Sequence, residues 1–406
     1  MDFDSIIVGG GLNGCVLAVA LSHIGQKVCL IDAQAKAVRD DPQFDGRAYA
    51  LALTSKNMLN VLGVWPKIAQ YACPMLDIKV SDGRAGQGAA PWFLHFDHTE
   101  IEEGPMGYMM EDRHLRQALL GMIEADQNIE HRDLTSVVSE QYFPECVQVT
   151  TQDGGVIKAR LVIGCDGRNS QVAKRAGIER KGWSYDQTSL VCAVAHERPH
   201  NNTAHQFFMP EGPLAILPLN ENISSIVWTQ STQRAAEIIE MSDADYLECL
   251  RPCFGDFLGE ISLKGGRYSY PLSLSVVDNF VSDRLALVGD AAHGVHPLAG
   301  QGLNLGLRDI AALCEVLANA QRRGEDIAAL NVLKRYQQWR RFDTSGLAAA
   351  TDGINRLFSN DNSMLRTLRD WGLGAVNATP SLRRGLMRQA AGLTGDLPKL
   401  LKGEMI

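Results

Sequence analysis

Residues 4–14 read DSIIVGGGLNG. The apolar triplet Ile6-Ile7-Val8 has the length of a buried strand, and Gly9-x-Gly11-x-x-Gly14 follows at once. Residues 15–22, CVLAVALS, are small and apolar, as a helix lying close on a sheet requires. A second run, Lys27-Val-Cys-Leu-Ile31, ends in Asp32, where the second strand of a βαβ unit delivers an acid to a ribose hydroxyl. Gly9 suits the tight turn, Gly11 the approach of a pyrophosphate, and Gly14 the contact of helix with strand. The helix N-terminus then presents free N–H groups and a positive dipole end to the phosphates. These residues predict an α/β fold built on a Rossmann-like unit. The ligand they imply is FAD or NAD(P), which this motif alone does not separate.

Two more segments carry the same pattern of an apolar strand ending in an acid. Residues 161–170 read LVIGCDGRNS, with Asp166-Gly167 at the strand end. Residues 284–309 read RLALVGDAAHGVHPLAGQGLNLGLRD, in which Leu285–Val288 deliver Gly289-Asp290. The glycine-rich turn Gly300–Gly306 then opens a helix expected to run to about Arg322. A strand-end acid suits a polyol, so Asp290 is a candidate acceptor for a ribityl hydroxyl. The N–H groups of Gly302 and Leu303 are candidates to face a ring carbonyl that gains negative charge on reduction.

GxGxxG, then DG, then GDAAH…P…GQGxN, in that order, resembles the para-hydroxybenzoate hydroxylase-like flavoprotein monooxygenases. Finer motifs are similar to those of the ubiquinone-biosynthesis hydroxylases of the UbiH, UbiF and UbiI type: Asp45-Gly-Arg47-Ala, Glu111-Asp-Arg113-His-Leu115, residues 212–219 (GPLAILPL), residues 296–306 (HPLAGQGLNLG) and residues 352–359 (DGINRLFS). The resemblance spans essentially the whole chain. It implies a Rossmann-like FAD-binding domain, an interleaved β-sheet substrate domain and C-terminal helices. It implies FAD as cofactor, NAD(P)H as reductant, and O₂ and a polyprenylated phenol as substrates of an aromatic-ring hydroxylation.

Carried over residue by residue, Gly9, Gly11, Gly14 and Asp32 match the ADP half of the FAD site. Arg47 and Arg113 match positions near the pyrophosphate or the flavin edge. Asp166 matches the DG motif, linked to both FAD and NAD(P)H. Asp290 matches the ribityl contact, and Pro297, Gly300, Gly302, Leu303 and Asn304 match the loop along the isoalloxazine. The wider class often has an Arg seven residues past the DG aspartate; Ala173 stands there, with Lys174 and Arg175 adjacent. No nucleophile or metal is required. His293 and His296, in the flavin loop, are candidates for a proton acceptor toward a phenol, or for a purely structural part. Two other readings stay open: a different FAD enzyme on this fold, such as a small-aromatic hydroxylase or a prenyl reductase, and a non-catalytic component of a ubiquinone assembly complex.

The FAD-binding domain is expected to be discontinuous, over residues 1–75, 101–180 and 280–330, with the substrate domain at 76–100 and 181–279 and a helical region at 331–406. Strand-like runs at 190–195, 206–209, 214–219 and 224–229 alternate with Gly, Pro and Asn, and 232–250 reads as one helix. The last 36 residues hold Arg383, Arg384, Arg388, Lys399 and Lys402 against Asp396 and Glu404. Leu382, Leu386, Ala390 and Leu393 share a helical face there. Such a tail at 371–406 suits peripheral contact with anionic lipid, and equally suits a solvated helix packed on its own domain.

Composition narrows the field further. The chain has 406 residues, 45% hydrophobic and 21% charged, with a formal charge of −8. An acidic balance argues against a nucleic-acid binder. Nine scattered cysteines without a CxxC pair argue against a zinc ribbon or a disulfide scaffold. The run 6–22 is preceded by Asp2 and Asp4 and no Lys or Arg, unlike a signal peptide. The expected location is cytoplasmic, with the tail offering contact at the inner membrane.

Overall fold

The computed structural model describes residues 1–84, 88–294, 301–358, 372 and 374–406. Its first sheet grows from the quoted stretch. The strand Phe3–Val8 pairs in parallel with Val28–Ile31 on one side and with Val156–Gly164 on the other. Leu285–Leu287 adds in parallel to Val156–Gly164, and Ile129–Arg132 to Val28–Ile31. Ile6, Ile7, Val28, Cys29 and Leu30 are wholly buried, as strands covered on both faces must be. Val137–Tyr142 and Val147–Thr151 extend this sheet as antiparallel strands.

The helix Leu12–His23 lies on the sheet because two glycines allow it. Gly9 has φ +112°, and a Cβ there would lie 2.4 Å from the Cys165 carbonyl oxygen. A Cβ on Gly14 would lie 1.9 Å from the Gly9 oxygen. Ten of this helix's residues are buried, since it also packs against the helices Asp112–Ala125 and Gln301–Arg322.

A second sheet runs in the order 293–294, 261–277, 180–196, 223–231, 214–218, 203–208, 77–84, 88–97. The strands exceed the expected runs: Arg180–His196 and Ile261–Val277 are each 17 residues, paired antiparallel with bulges that let them bend. Ile261–Val277 escaped the sequence reading because its middle, KGGRYSY, lacks a clean alternation. The expected single helix over 232–250 is two, Thr232–Ile239 and Asp243–Phe254. Ser242 starts the second by accepting the Asp245 N–H at 3.2 Å, a cap that interrupts the first helix. Both helices cover one face of the sheet through Ala235, Ile238, Tyr246, Leu250 and Phe254.

A small sheet of Ala48–Ala52, Gly107–Glu111 and Cys73–Met75 lies between the two large ones. Gly266 N–H donates to the Asp45 oxygen at 2.8 Å, joining the loop before Ala48 directly to the backbone of the second sheet. After the helix Leu330–Phe358, the helix Pro380–Ala390 buries Met387 among Leu94, Phe96, Ile101 and Met106. Among the described residues no helix is long and apolar enough to cross a membrane.

Candidate cofactor site

The parallel strands of the first sheet all end on one edge. Gly9, Asp32, Asp166 and Asp290 therefore meet there, although they are far apart in the chain. Contact is close: a Cβ on Gly10 would lie 2.4 Å from Asp32 Oδ2, and one on Gly9 would lie 2.9 Å from the Asp166 Cα. Asn13, inside the glycine motif, wedges its side chain between the turn at Gly289 and the helix at Gly306. This edge is where an open α/β sheet places its ligand.

Each acid is held differently. Asp32 is 4% exposed; Oδ2 accepts from Arg39 Nε at 2.9 Å and Oδ1 from Arg39 Nη2 at 3.2 Å and the Gln34 N–H at 3.1 Å. Arg39 thus fixes the carboxylate by a two-point contact. Sequence reasoning missed it, since it sits in a polar stretch whose only element is the one-turn helix Lys36–Arg39. Asp166 Oδ2 accepts the N–H groups of Gln171 and Val172 at 2.7 and 3.1 Å, opening the helix Gln171–Arg175. Asp290 is more open: its carboxylate stands 3.5 Å from Arg168 Nε. Its backbone carbonyl is pinned by Arg180 Nη2 at 3.1 Å, and burial pulls the Arg180 pKa down.

The two arginines of the finer motifs stand at the small sheet. Arg47 pairs with Asp45 at 2.6 Å and faces Asp112 at 3.6 Å, with its guanidinium 5.8 Å from the Tyr268 ring centre. Burial disfavours its charge, but the hydrogen bond to Asp45 and the Asp112 carboxylate outweigh this and hold its pKa above the ordinary value. Arg113 donates to Glu111 at 2.7 Å and to the Pro42 carbonyl at 3.1 Å. Behind them, Arg116 and Asp112 form a buried two-point pair at 2.7 and 3.0 Å.

In the flavin-loop motif, Asn304 joins the helix Gln301–Arg322 to the small sheet. Its Oδ1 accepts from the Ala52 N–H and the Ser55 hydroxyl, and its Nδ2 donates to the Ala50 carbonyl, all within 2.8 Å. Leu303 is half-buried. His293 lies in the interior, 1% exposed, with Nε2 2.5 Å from Asp309 Oδ2. Buried against that carboxylate, the side chain has a structural partner. His296, Pro297 and Gly300 lie outside the described residues. Ala173 is buried, and the neighbouring Arg175 makes a two-point pair with Glu140 at 2.6 Å.

The residues present fit a dinucleotide. A Cβ on Gly11 or on Gly302 would meet nothing within 4 Å, which leaves room at the turn and at the start of the second helix. Asn13 Oδ1 and Asp166 Oδ1 are buried at this edge without a hydrogen-bond partner among the described residues, although such atoms are normally satisfied. The first N–H groups of the helix Gln301–Arg322 have no acceptor within the helix.

Opposite this edge, the second sheet turns its uncovered face toward the small sheet: Leu217 and Ile223 pack on the same apolar cluster of Cys73, Met75 and Met109 as Phe44, Ala48 and Ala50. Along that face the register aligns Val191 with Val227 and Ala215, and Ser189 with Thr229. Tyr268 and Tyr270 pair with Val191 and Ser189 from the neighbouring strand. Val191 and Val227 are central in the sheet yet half-exposed, so this face is not closed over at the two valines.

Comparison with known proteins agrees with this geometry. The FAD binding domain family matches residues 2–345. The ubiquinone hydroxylase UbiL of Rhodospirillum rubrum is 42% identical, covering 98% of this chain and 92% of its own. The 3-demethoxyubiquinol 3-hydroxylase of Escherichia coli is 36% identical, covering 95% and 98%. The crystal structure of p-nitrophenol 4-monooxygenase PnpA from Pseudomonas putida superposes with a TM-score of 0.80 at 19% identity, covering 97% and 98%, a likeness of fold. With family match, relatives and fold in agreement, the chain belongs to the FAD-binding monooxygenase family, in its branch of ubiquinone-biosynthesis hydroxylases.

Proposed function

We propose that this chain hydroxylates the aromatic ring of a polyprenylated phenol, with NAD(P)H as reductant and O₂ as the oxygen source. The observation that carries the substrate class is the whole-chain likeness to hydroxylases of ubiquinone intermediates. The face of small residues beside the cofactor edge suits a ring. When bound, FAD supplies the activation of O₂ and the oxygen transfer. In this reading the Gly9–Gly14 turn and Asp32, held by Arg39, take the ADP half. Asp290 takes the ribityl chain, Arg47 and Arg113 stand toward the pyrophosphate or the ring edge, and the helix start at Gly302 and Leu303 stands beside the isoalloxazine. The sheet face of Ser189, Val191, Ala215 and Val227 orients the phenol and excludes water from its ring. The test is product analysis by mass spectrometry with a polyprenylphenol series and with hydroxybenzoate, following NADPH and NADH oxidation. A ring-hydroxylated prenylphenol coupled to oxidation of the reductant supports the reading; coupling only to hydroxybenzoate rejects it.

Contact with a membrane or with a partner of a ubiquinone-biosynthesis assembly, through residues 371–406, belongs to the same proposal. Leu382 and Leu386 are exposed on the helix Pro380–Ala390, while Arg383 and Arg388 are engaged by Glu100 and Glu103 at 2.8 and 2.6 Å. The exposed leucines, rather than net charge, are thus the contact this helix offers. Flotation with anionic liposomes that is unchanged by Leu382→Ser with Leu386→Ser rejects it.

A further inference from the structure

The Asp309 carboxylate is wholly buried and joins its own helix to a turn and to a second helix. Its Oδ2 accepts from the Gly289 N–H at 3.0 Å and faces His293 Nε2 at 2.5 Å, the two ends of the turn that carries Asp290. Its Oδ1 accepts from Arg340 Nε at 2.7 Å, on the helix Leu330–Phe358. Arg340 donates onward to Asp343 at 2.7 Å; Asp343 also accepts from Arg308 at 2.8 Å; and Arg308 donates to the Gly392 carbonyl at 2.6 Å, in the C-terminal segment. His293, Asp309 and Arg340 are each at most 2% exposed.

Such a cluster is a poor source of stability. Removing charges from water is costly, and well-packed apolar residues of the same volume often do as well or better. What an ionic cluster adds is a fixed geometry, because a carboxylate with two directional partners on opposite oxygens has one orientation. The geometry fixed here is that of the 289–293 turn. Among the described residues the Asp290 side chain makes only the long 3.5 Å contact with Arg168, so its aim comes from its backbone.

We propose that Asp309 is a positioning residue for the cofactor. By gripping Gly289 and His293 with one oxygen, it sets where Asp290 points, and through Arg340, Asp343 and Arg308 it ties that turn to the C-terminal segment. The inference rests on FAD binding at this edge. Burial opposes the charge on Asp309, but His293 and Arg340 more than offset it and hold the carboxyl below its ordinary pKa, so the oxygens that grip the turn belong to a carboxylate.

The test compares wild type with His293→Leu, His293→Gln, Asp309→Asn and a remote control, Leu250→Ala, in the core of the second sheet. FAD affinity is measured by fluorescence titration of FAD-free protein, the flavin environment by visible circular dichroism, and stability by the thermal midpoint of the FAD-free form. His293→Leu should weaken FAD binding by roughly tenfold or more and change the visible circular dichroism, as loss of a charged hydrogen bond predicts. His293→Gln, which keeps a donor, should recover most of both, and Leu250→Ala should lower the thermal midpoint while FAD affinity stays near wild type. Should Asp309→Asn not fold, the His293 pair and the control decide. Wild-type affinity and spectrum in His293→Leu, or FAD loss in Leu250→Ala in step with its stability, would overturn the proposal. A wild-type chain that binds no FAD would overturn the cofactor assignment beneath it.

Discussion

The two large sheets face each other across the site but are built by different means. The first presents charged atoms at fixed points: Asp32 clamped by Arg39, Asp166 at a helix start, Asp290 on a pinned turn. The second presents small side chains along one face, with Val191 and Val227 half-exposed and Ser189, Ala215 and Thr229 buried beside them. A cofactor common to many enzymes is gripped by directional polar contacts. In the proposed reading, the substrate ring is selected by shape. Substitutions on the first side should therefore act on cofactor affinity or stability, and those on the second on turnover and selection.

The largest effect is expected at the buried pair behind the first sheet. Asp112→Ala leaves Arg116, 6% exposed, without its carboxylate, and should cost about 3–5 kcal/mol in a urea titration. A loss below about 1 kcal/mol would mean that water or another group reaches Arg116. Asp32→Ala should come next. It removes a charged hydrogen-bond acceptor and should weaken FAD binding by about 1.5–3 kcal/mol with little change in fold, measured by fluorescence titration. Wild-type affinity in that variant would remove Asp32 from the site.

The second sheet should answer in the opposite sense. Ala215→Phe adds bulk to this face and should lower turnover of a prenylphenol by about tenfold, a difference of about 1.4 kcal/mol, while FAD affinity stays near wild type. Equal loss of FAD would erase the division between the two sheets.

The last effect concerns pH and is spread over a wide window. His205, on the helix-covered side of the second sheet among Phe207 and Phe257, has its pKa pushed down to about 4 by burial and by Lys79. Between pH 6.5 and about 4 the unfolded chain therefore binds the proton more readily than the folded one. Stability should fall as pH drops through that window, by at most about 1.4 kcal/mol per pH unit. His205→Phe should flatten this part of the curve in denaturant titrations at several pH values; an unchanged slope would assign it to other groups.

The first sheet was legible because its signals are local. A strand, a glycine turn and an acid lie within a few residues of one another, three times over. The helix beginning at Gln301 and the basic helix near the C-terminus were legible for the same reason. What escaped depends on distant partners. Arg39 has no periodicity around it and gains meaning only from Asp32. Asp309 reads along the chain as a charge that interrupts an apolar run, yet it is the centre of a buried cluster joining residues 289, 293 and 340. The small sheet is made of strands only three to five residues long, too short for an alternation to register.

The joint between Asp45-Gly46 and Gly265-Gly266 bears on how such a molecule changes its chemistry. Gly46 and Gly265 have φ +100° and +73°, and a Cβ on Gly265 would lie 2.7 Å from the Asp45 carbonyl carbon. Main chain meets main chain there, with no side chain between to be traded for a longer or shorter one. In the proposed reading, that joint fixes the spacing from cofactor to substrate wall, and a new substrate is accommodated by substitutions along the wall while the spacing stays the same.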